Sequence, residues 1–187
     1  MKKYLLGSVA ALLLSAGTAS AEGTYFSLLG GATYDPHLMA GGTSHDMSPG
    51  YNGGVRLGTG IGSLPGFSVE ADAFYNRSGF KGSGGGHLAS TSLMGDLIYH
   101  ANLGLPLNLY GGAGLGMVET RVGGALPHGS SIVLGWQALG GLEFPVSPSM
   151  TLFTEYRYQN TNAANVGTLA RVGNTSNNLS LGVKFNL

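Results

Sequence analysis

Apolar and polar residues alternate with a period of two along most of the chain after residue 21, and this alternation constrains the fold more than any other feature. The same region contains no run of about 18 consecutive apolar residues, the length that a transmembrane helix needs. In lipid, only helices and closed barrels satisfy all backbone hydrogen bonds. If the chain crosses a membrane, it must therefore cross as a closed β-barrel.

The alternating segments number eight. They lie near residues 25–34, 51–61, 67–76, 90–101, 108–118, 132–144, 151–159 and 178–187. Each approaches the length of about ten residues that a tilted transmembrane strand requires, and bacterial single-chain barrels have an even number of strands. The sequence predicts an all-β fold, an eight-stranded antiparallel up-and-down transmembrane β-barrel that forms one domain over residues 22–187.

The connections between these segments alternate in length. Residues 62–66, 102–107 and 145–150 form short connections that we predict to face the periplasm, and residues 35–50, 77–89, 119–131 and 160–177 form long external ones. Four prolines fall in the short connections, where a missing amide proton leaves no ladder hydrogen bond unmade: Pro65, Pro106, Pro145 and Pro148.

The two faces of each segment differ, as lipid outside and polar side chains inside require. In the last segment one face carries Leu179, Leu181, Val183, Phe185 and Leu187, and the other carries Asn178, Ser180, Gly182, Lys184 and Asn186. No predicted lipid-facing position is charged, and charged residues make up only 10% of the chain, against about 25% in soluble domains. A soluble sandwich would also alternate, but it would turn its apolar face inward.

Aromatic residues provide a separate test, because rings with polar tips favour both membrane interfaces. On the outward register they fall at the strand ends and form two girdles. The periplasmic girdle contains Phe26, Phe67, Tyr99, Phe144 and Phe185, and the external girdle contains Tyr34, Tyr51, Tyr75 and Tyr158. A single register therefore accounts for both girdles.

The first 21 residues have the pattern of a cleaved secretory signal peptide. Lys2 and Lys3 precede an apolar run from Tyr4 to about Leu14, and Ala19 and Ala21 supply the small side chains of a cleavage site. The alternative, an anchor helix retained in the mature protein, is disfavoured by the short apolar run. We predict a mature chain that begins near Glu22 and, without any Cys, is held together without disulfides.

Charged residues on the predicted inward face must pair inside the barrel, because a buried charge that loses its partner is strongly destabilising. These residues are Arg56, Glu70, Asp72, Asp96, Glu143, Glu155, Arg157 and Lys184. The connection at 62–66 sets Arg56 opposite a position near Ala71, with Glu70 and Asp72 as diagonal partners. Such a network can be an ion path or a structural polar core. We favour the structural core, because eight strands leave room for little more than their own side chains.

No residue pattern specifies a catalytic, cofactor-binding or metal site. The external connections contain His37, His45, His87 and His128, and His100 lies near a periplasmic strand end. None of these histidines has a Ser and a carboxylate at a recognisable sequence spacing. Sequence spacing alone does not exclude a triad whose members meet only in the folded protein. A metal site from His37, His45 and Asp46 is unspecific, since these are also ordinary loop residues. The glycine-rich stretch 112–116 alternates as a strand, so we interpret its small residues as room for lumen neighbours rather than as a nucleotide loop.

Two stretches resemble the outer-membrane β-barrel domain of OmpA-like and opacity-type surface proteins. They are Leu109 to Gly116, and the region Trp136 to Tyr158 with Gly-Gly-Leu-Glu-Phe at 140–144 and Leu-Phe-Thr-Glu-Tyr-Arg-Tyr at 152–158. The resemblance implies a small bacterial outer-membrane barrel whose closing strand is read by the barrel-assembly machinery, usually at a terminal aromatic residue. Here the last residue is Leu187, with Phe185 two positions earlier, and we expect a bare barrel without a periplasmic peptidoglycan-binding domain.

The external connections are rich in Gly, Ser, Thr and Asn, which is typical of exposed, flexible segments. We therefore expect a non-enzymatic scaffold in contact with outer-membrane lipid, whose loops bind lipopolysaccharide, cell surfaces or other envelope proteins. The alternatives are a narrow porin-like channel for small solutes or ions and, more weakly, a lipid A-modifying enzyme. A nucleic acid partner is not expected, because without Lys2 and Lys3 the chain carries seven basic and nine acidic residues.

Overall fold

The computed structural model describes residues 23–34, 37–40, 43–81, 86–123, 129–162, 164–166, 169–172 and 175–187. The predicted signal peptide, Glu22 and His128 lie outside these ranges. No helix within the ranges has the length and apolar character needed to cross a membrane.

Eight long antiparallel strands close into a barrel in the order of the chain. They are β1 (Tyr25–Tyr34), β2 (Gly50–Gly60), β3 (Phe67–Gly79), β4 (His87–Ala101), β5 (Asn108–Gly123), β6 (Gly129–Ser147), β7 (Met150–Thr161) and β8 (Thr175–Asn186). The barrel closes because β1 pairs with β8 on one side and with β2 on the other. The predicted eight-stranded up-and-down barrel is confirmed.

The long external connections contain more strand than predicted. Two short hairpins lie within them, His37–Ala40 with Thr43–Asp46 and Ala164–Val166 with Leu169–Val172. The barrel strands also run farther outward, since Arg77 pairs with Ala89 and Thr120 pairs with Ser131. The margins of the predicted loops were wrong because their Gly, Ser and Thr residues resemble loop composition, while ladder pairing overrides that local preference.

The prediction that Pro145 lies in a tight turn is also wrong. β6 continues to Ser147, and Pro145 pairs with Thr151 beside a register shift between Pro145 and Ser147. A bulge interrupts the ladder locally, so the missing amide proton of a proline is tolerated there. Pro65, Pro106 and Pro148 lie in the short connections as predicted.

The strands are tilted relative to the barrel axis. Following paired residues around the sheet from Phe67, through Tyr99, Gly111, Gly140, Tyr156, Leu179, Ala32 and Tyr51, leads back to Arg77 of the same strand. The ladder is therefore staggered by ten residues along β3. With eight strands, this stagger corresponds to a tilt of about 40°.

Side chains alternate between a buried lumen face and an exposed lipid face. On β7, for example, Phe153, Glu155 and Arg157 are buried, whereas Leu152 and Tyr156 are exposed. The interior is a packed core that combines polar groups with an apolar cluster of Leu29, Phe74, Ile98, Tyr110, Leu139 and Phe153.

The inward glycines of β5 make room for side chains of β4, as the sequence predicts. A Cβ atom on Gly114 would lie 1.6 Å from Asp96 Oδ1, and one on Gly116 would lie 2.6 Å from the sulfur of Met94. One on Gly112 would lie 2.5 Å from Cδ1 of Ile98. The absence of side chains on one strand thus allows its neighbour to fill the lumen.

Candidate functional site: the charged lumen

Two arginines share one carboxylate at the centre of the lumen. Arg56 Nη2 on β2 donates to Oε1 and Oε2 of Glu155 at 2.8 and 2.7 Å. Arg157 donates to Glu155 Oε1 from Nε at 3.1 Å and from Nη2 at 2.9 Å. The hydroxyl of Tyr110 on β5 donates to Oε2 at 2.9 Å. Glu155 therefore joins groups from β2, β5 and β7.

The other carboxylates that lie directly beside the two arginines come from β3. Arg157 Nη2 donates to Asp72 Oδ2 at 2.5 Å, and Arg56 Nε lies 3.3 Å from both Asp72 Oδ2 and Glu70 Oε2. Both predicted partners of Arg56 therefore lie beside it, but the register differs by one residue: Asp72 is its direct neighbour on β3, and only Glu70 is diagonal. The expected register was wrong because Ala71 belongs to the lipid face, and only residues on the same face can oppose each other.

Asp96 joins the cluster indirectly. Its carboxylate accepts two hydrogen bonds from Nε2 of Gln137, at 2.7 and 2.9 Å, and the Gln137 carbonyl accepts from Arg157 Nη1 at 3.5 Å. Gln137 is neutral and was therefore not among the predicted lumen residues, which were all charged. The alternation along β6 places its side chain on the lumen face, and this position could have identified it.

Glu143 and Lys184 form a second cluster near the periplasmic end. The Lys184 ammonium group donates to Glu143 Oε1, and His100 Nδ1 lies 3.3 Å from Glu143 Oε2. The Lys184 Nζ atom also lies 4.9 Å from the ring centre of Tyr25. The predicted charges therefore divide into two clusters, because Glu143 and Lys184 lie nearer the periplasmic ends of β6 and β8.

Aromatic faces cover the buried guanidinium groups. Arg157 Cζ lies 4.1 Å above the ring of Phe74, and Arg56 Cζ lies 5.7 Å from the ring centre of Phe153. Arg157 is fully buried. Because a guanidinium group binds a ring face and a carboxylate at the same time, each arginine is held on several sides.

Neutral amides and hydroxyls fill the lumen toward the external side. The Thr33 hydroxyl donates to Asn178 at 2.6 Å, and the Ser180 hydroxyl donates to Asn52 at 2.8 Å. Between the neighbouring strands β3 and β4, the Ser90 hydroxyl donates to Asn76 at 2.6 Å. These pairs extend the closed polar core above the arginines.

A Ser, a His and a Glu meet at the periplasmic end, in the combination that nucleophilic enzymes use. Ser68 Oγ lies 3.1 Å from His100 Nε2, and His100 Nδ1 lies 3.3 Å from Glu143 Oε2. However, Ser68 is only 2% exposed, and its oxygen also lies 2.9 Å from the Tyr25 hydroxyl. A hydroxyl enclosed in this way offers no open face to a substrate, so the arrangement fits a hydrogen-bonded plug better than a catalytic triad.

The structure describes only part of the unspecific metal site. The side chains of His37 and His45 lie outside the described residues. Within the described part of the chain, no group of three His, Asp or Glu residues could hold a metal ion.

The predicted girdle residues lie at the two ends of the lipid face. On the periplasmic side the rings of Phe67 and Tyr99 are 4.9 Å apart, and Phe26 pairs with Phe185; Phe144 is exposed nearby on β6. On the external side the ring centres of Tyr51 and Tyr75 are 6.2 Å apart, and those of Tyr158 and Trp136 are 5.4 Å apart. Tyr34 is exposed on the same side. Trp136 belongs with the external residues although the sequence analysis did not assign it.

Several solved structures have the same fold. The neisserial surface protein A, NspA, is 20% identical over 90% of this chain and 100% of its own, with a TM-score of 0.68. The attachment invasion locus protein Ail of Yersinia pestis, solved with the heparin analogue sucrose octasulfate, is 20% identical over 88% of this chain and 99% of its own (TM-score 0.50). OprG of Pseudomonas aeruginosa is 14% identical over 89% of this chain and 98% of its own (TM-score 0.51).

A sequence comparison with curated proteins finds no match. The family model described as the outer membrane protein beta-barrel domain matches residues 6–185. This match covers most of the chain and agrees with the closed barrel and its apolar outer face. The chain therefore belongs to the outer membrane protein β-barrel domain family, and it is a protein of the bacterial outer membrane.

Proposed function

We propose that this protein is a structural and surface-interaction scaffold with a closed lumen, whose external end binds its partners. The observation that carries the proposal is the filling of the lumen, in which Arg56, Arg157 and their carboxylates are almost completely buried. A barrel closed in this way supports its external hairpins rigidly and leaves little space for solute.

The competing function is a narrow channel through the charged lumen. With the side chains packed as described, the refolded protein is expected to show no steady conductance in planar bilayers. Steady conductance whose ion selectivity changes in Lys184→Gln would contradict the closed lumen. This variant is suitable because Lys184 lies near the periplasmic end and its side chain is less buried than those of the arginines.

We also propose that the protein carries no catalytic activity. The enclosed Ser68 hydroxyl supports this proposal, and so does its hydrogen bonding to both His100 and Tyr25. Overproduction should leave the lipid A profile of the outer membrane unchanged by mass spectrometry. A change that disappears in Ser68→Ala would point instead to a lipid-modifying enzyme.

The hairpin of β5 and β6 is the part of the scaffold best placed to reach partners. Its outermost pair, Val122 with Gly129, lies seven pairs beyond the pair of Leu115 and Trp136. At about 3.3 Å per residue and a tilt of about 40°, the hairpin projects about 18 Å beyond the external girdle. It carries the exposed ion pair of Arg121 and Glu119, whose closest atoms are 2.8 Å apart.

Trimming this hairpin tests the proposal. Because Thr120 pairs directly with Ser131, residues 121–130 can be replaced by Asn-Gly, which forms a two-residue turn between paired strands. We expect the trimmed protein to fold and to lose most of its binding to host cells or envelope proteins. Flow cytometry of cells that display the variant measures this loss.

A matched trim of the neighbouring hairpin is the control. Gly79 pairs with His87, so residues 80–86 can also be replaced by Asn-Gly. Equal binding by the untrimmed protein and both variants would argue against a role of these hairpins. Equal loss in both would assign binding to the external end as a whole rather than to the hairpin of β5 and β6.

Further partners follow from the position in the membrane. We propose contacts between lipopolysaccharide and basic residues of the external end, such as Arg77, and passage through the barrel-assembly machinery during insertion. Lower retention of Arg77→Gln on immobilised lipopolysaccharide would support the first contact, and unchanged retention would count against it. Normal membrane levels after depletion of the assembly machinery would contradict the second.

A further inference from the structure

The two aromatic girdles differ in chemistry. The external side carries Tyr34, Tyr51, Tyr75 and Tyr158 together with Trp136, whereas four of the five periplasmic residues are Phe. Tyr and Trp combine an apolar ring with a polar tip and therefore favour the headgroup level. Phe has no polar tip and therefore favours the hydrocarbon region of the bilayer. The periplasmic headgroup boundary is thus expected to lie beyond the Phe rings.

The distance between the girdles leads to the same conclusion. Phe26 and Tyr34 are eight residues apart, as are Phe67 and Tyr75, and Phe144 and Trp136. At about 3.3 Å per residue and a tilt of about 40°, this spacing corresponds to about 20 Å. The apolar band of outer-membrane barrels is about 25 Å tall. The difference requires more apolar surface beyond one of the girdles.

Such a surface exists on the periplasmic side. Leu64, Leu103, Leu105 and Val146, here called the periplasmic rim, are 51%, 49%, 58% and 55% exposed. The segments that carry the rim, 61–66, 102–107 and the end of β6 with its turn at 145–149, contain no charged residue. On the external side, by contrast, the strand ends carry Arg77, Lys81, Glu119 and Arg121.

We propose that the periplasmic rim lies within the inner leaflet of the outer membrane, against the acyl chains and glycerol groups of phospholipid, rather than in periplasmic water. The rim continues the lipid face of the barrel beyond the Phe rings, and exposed aliphatic side chains gain free energy when lipid removes them from water. Its lack of charge matches the hydrocarbon edge of a leaflet.

Tryptophan fluorescence tests the depth of the rim. Trp136 is the only Trp of the chain, so Trp136→Phe provides a background into which one new Trp is placed. Leu105→Trp probes the rim, Leu97→Trp probes the lipid face between the girdles, and Lys81→Trp probes the external end. Each full-length variant is refolded in lipid nanodiscs, where iodide reaches both faces, with and without phospholipid brominated on the upper acyl chain.

We expect brominated lipid to quench Leu105→Trp several-fold more than Lys81→Trp, and iodide to quench it several-fold less. Iodide quenching equal to that of Lys81→Trp would overturn the proposal, because the rim would then lie in water. Protection from both quenchers would also overturn it, because a second barrel or another protein would cover the rim.

Two controls keep these results interpretable. Gel mobility before and after boiling checks the fold of each variant, and Leu64→Trp on another connection replaces Leu105→Trp if the latter does not fold. Leu97→Trp must be quenched by brominated lipid whatever the depth of the rim. Its failure would question the membrane placement itself, whereas failure of Leu105→Trp alone concerns only the rim.

Discussion

Replacing Arg157 with Met is expected to lower the free energy of unfolding by about 3–5 kcal/mol, since removing one member of a buried ion pair has an effect of this size. The side chain is fully buried and donates to Asp72 and Glu155 at 2.5 and 2.9 Å. Met keeps most of the apolar volume but no positive charge, so both carboxylates lose a buried partner. Urea titration of the protein in lipid vesicles, followed by gel mobility, measures the change.

Arg121→Met is the matched control for this experiment. Arg121 also bonds a glutamate, with Nη2 of the arginine 2.8 Å from Oε2 of Glu119, but its side chain is 64% exposed. Exposed ion pairs contribute about 0–1 kcal/mol. If Arg157→Met lowered the free energy of unfolding as little as Arg121→Met does, the buried ion pairs would have to be accessible to water in the folded barrel.

Gly141→Ala is expected to destabilise the barrel by about 2–4 kcal/mol, from overpacking and from the disturbed hydrogen bond to a charged group. A Cβ atom at this position would lie 1.9 Å from the backbone oxygen of Thr154 and 2.7 Å from Cε1 of Tyr110. The carbonyl cannot move without disturbing the ladder between β6 and β7. The ring cannot move without shifting the hydroxyl that donates to Glu155 at 2.9 Å.

The preceding residue provides the control for this substitution. A Cβ atom on Gly140 would meet nothing closer than 3.4 Å, the backbone oxygen of Tyr110. Gly140→Ala should therefore change the urea midpoint little. Similar midpoints for the two alanine variants would mean that the strands adjust around residue 141 more easily than their packing suggests.

The architecture could be predicted from the sequence because it depends on local patterns. Alternation with a period of two assigns each residue to a face. The strand length follows from the thickness of the membrane, and the even number of strands is typical of bacterial single-chain barrels. These rules were sufficient for all eight strands. They failed where composition and pairing disagree, as at Thr120 and Ser131, and where a bulge accommodates Pro145.

The contacts inside the lumen were less predictable. Alternation identifies Arg56, Glu155 and Arg157 as inward residues, but it does not show that both arginines bind the same glutamate across the barrel. That contact depends on the stagger of the ladder, which raises or lowers each strand relative to its neighbours. The same stagger separates Glu143 and Lys184 from the arginines, and neutral residues such as Gln137 complete the network.

The glutamate shared by the two arginines has a kinetic consequence. Arg56 and Glu155 are 99 positions apart, and their strands come together only when β1 meets β8. Until that seam forms, Arg56 has only Glu70 and Asp72 of the neighbouring strand, and Arg157 has only Glu155 of its own strand. The bilayer interior is a poor solvent for charges that lack part of their partners. We therefore expect insertion and closure to occur together, so that the charges enter the membrane inside a cylinder that is already nearly complete. The long sequence separation of these contacts should also make this step slow.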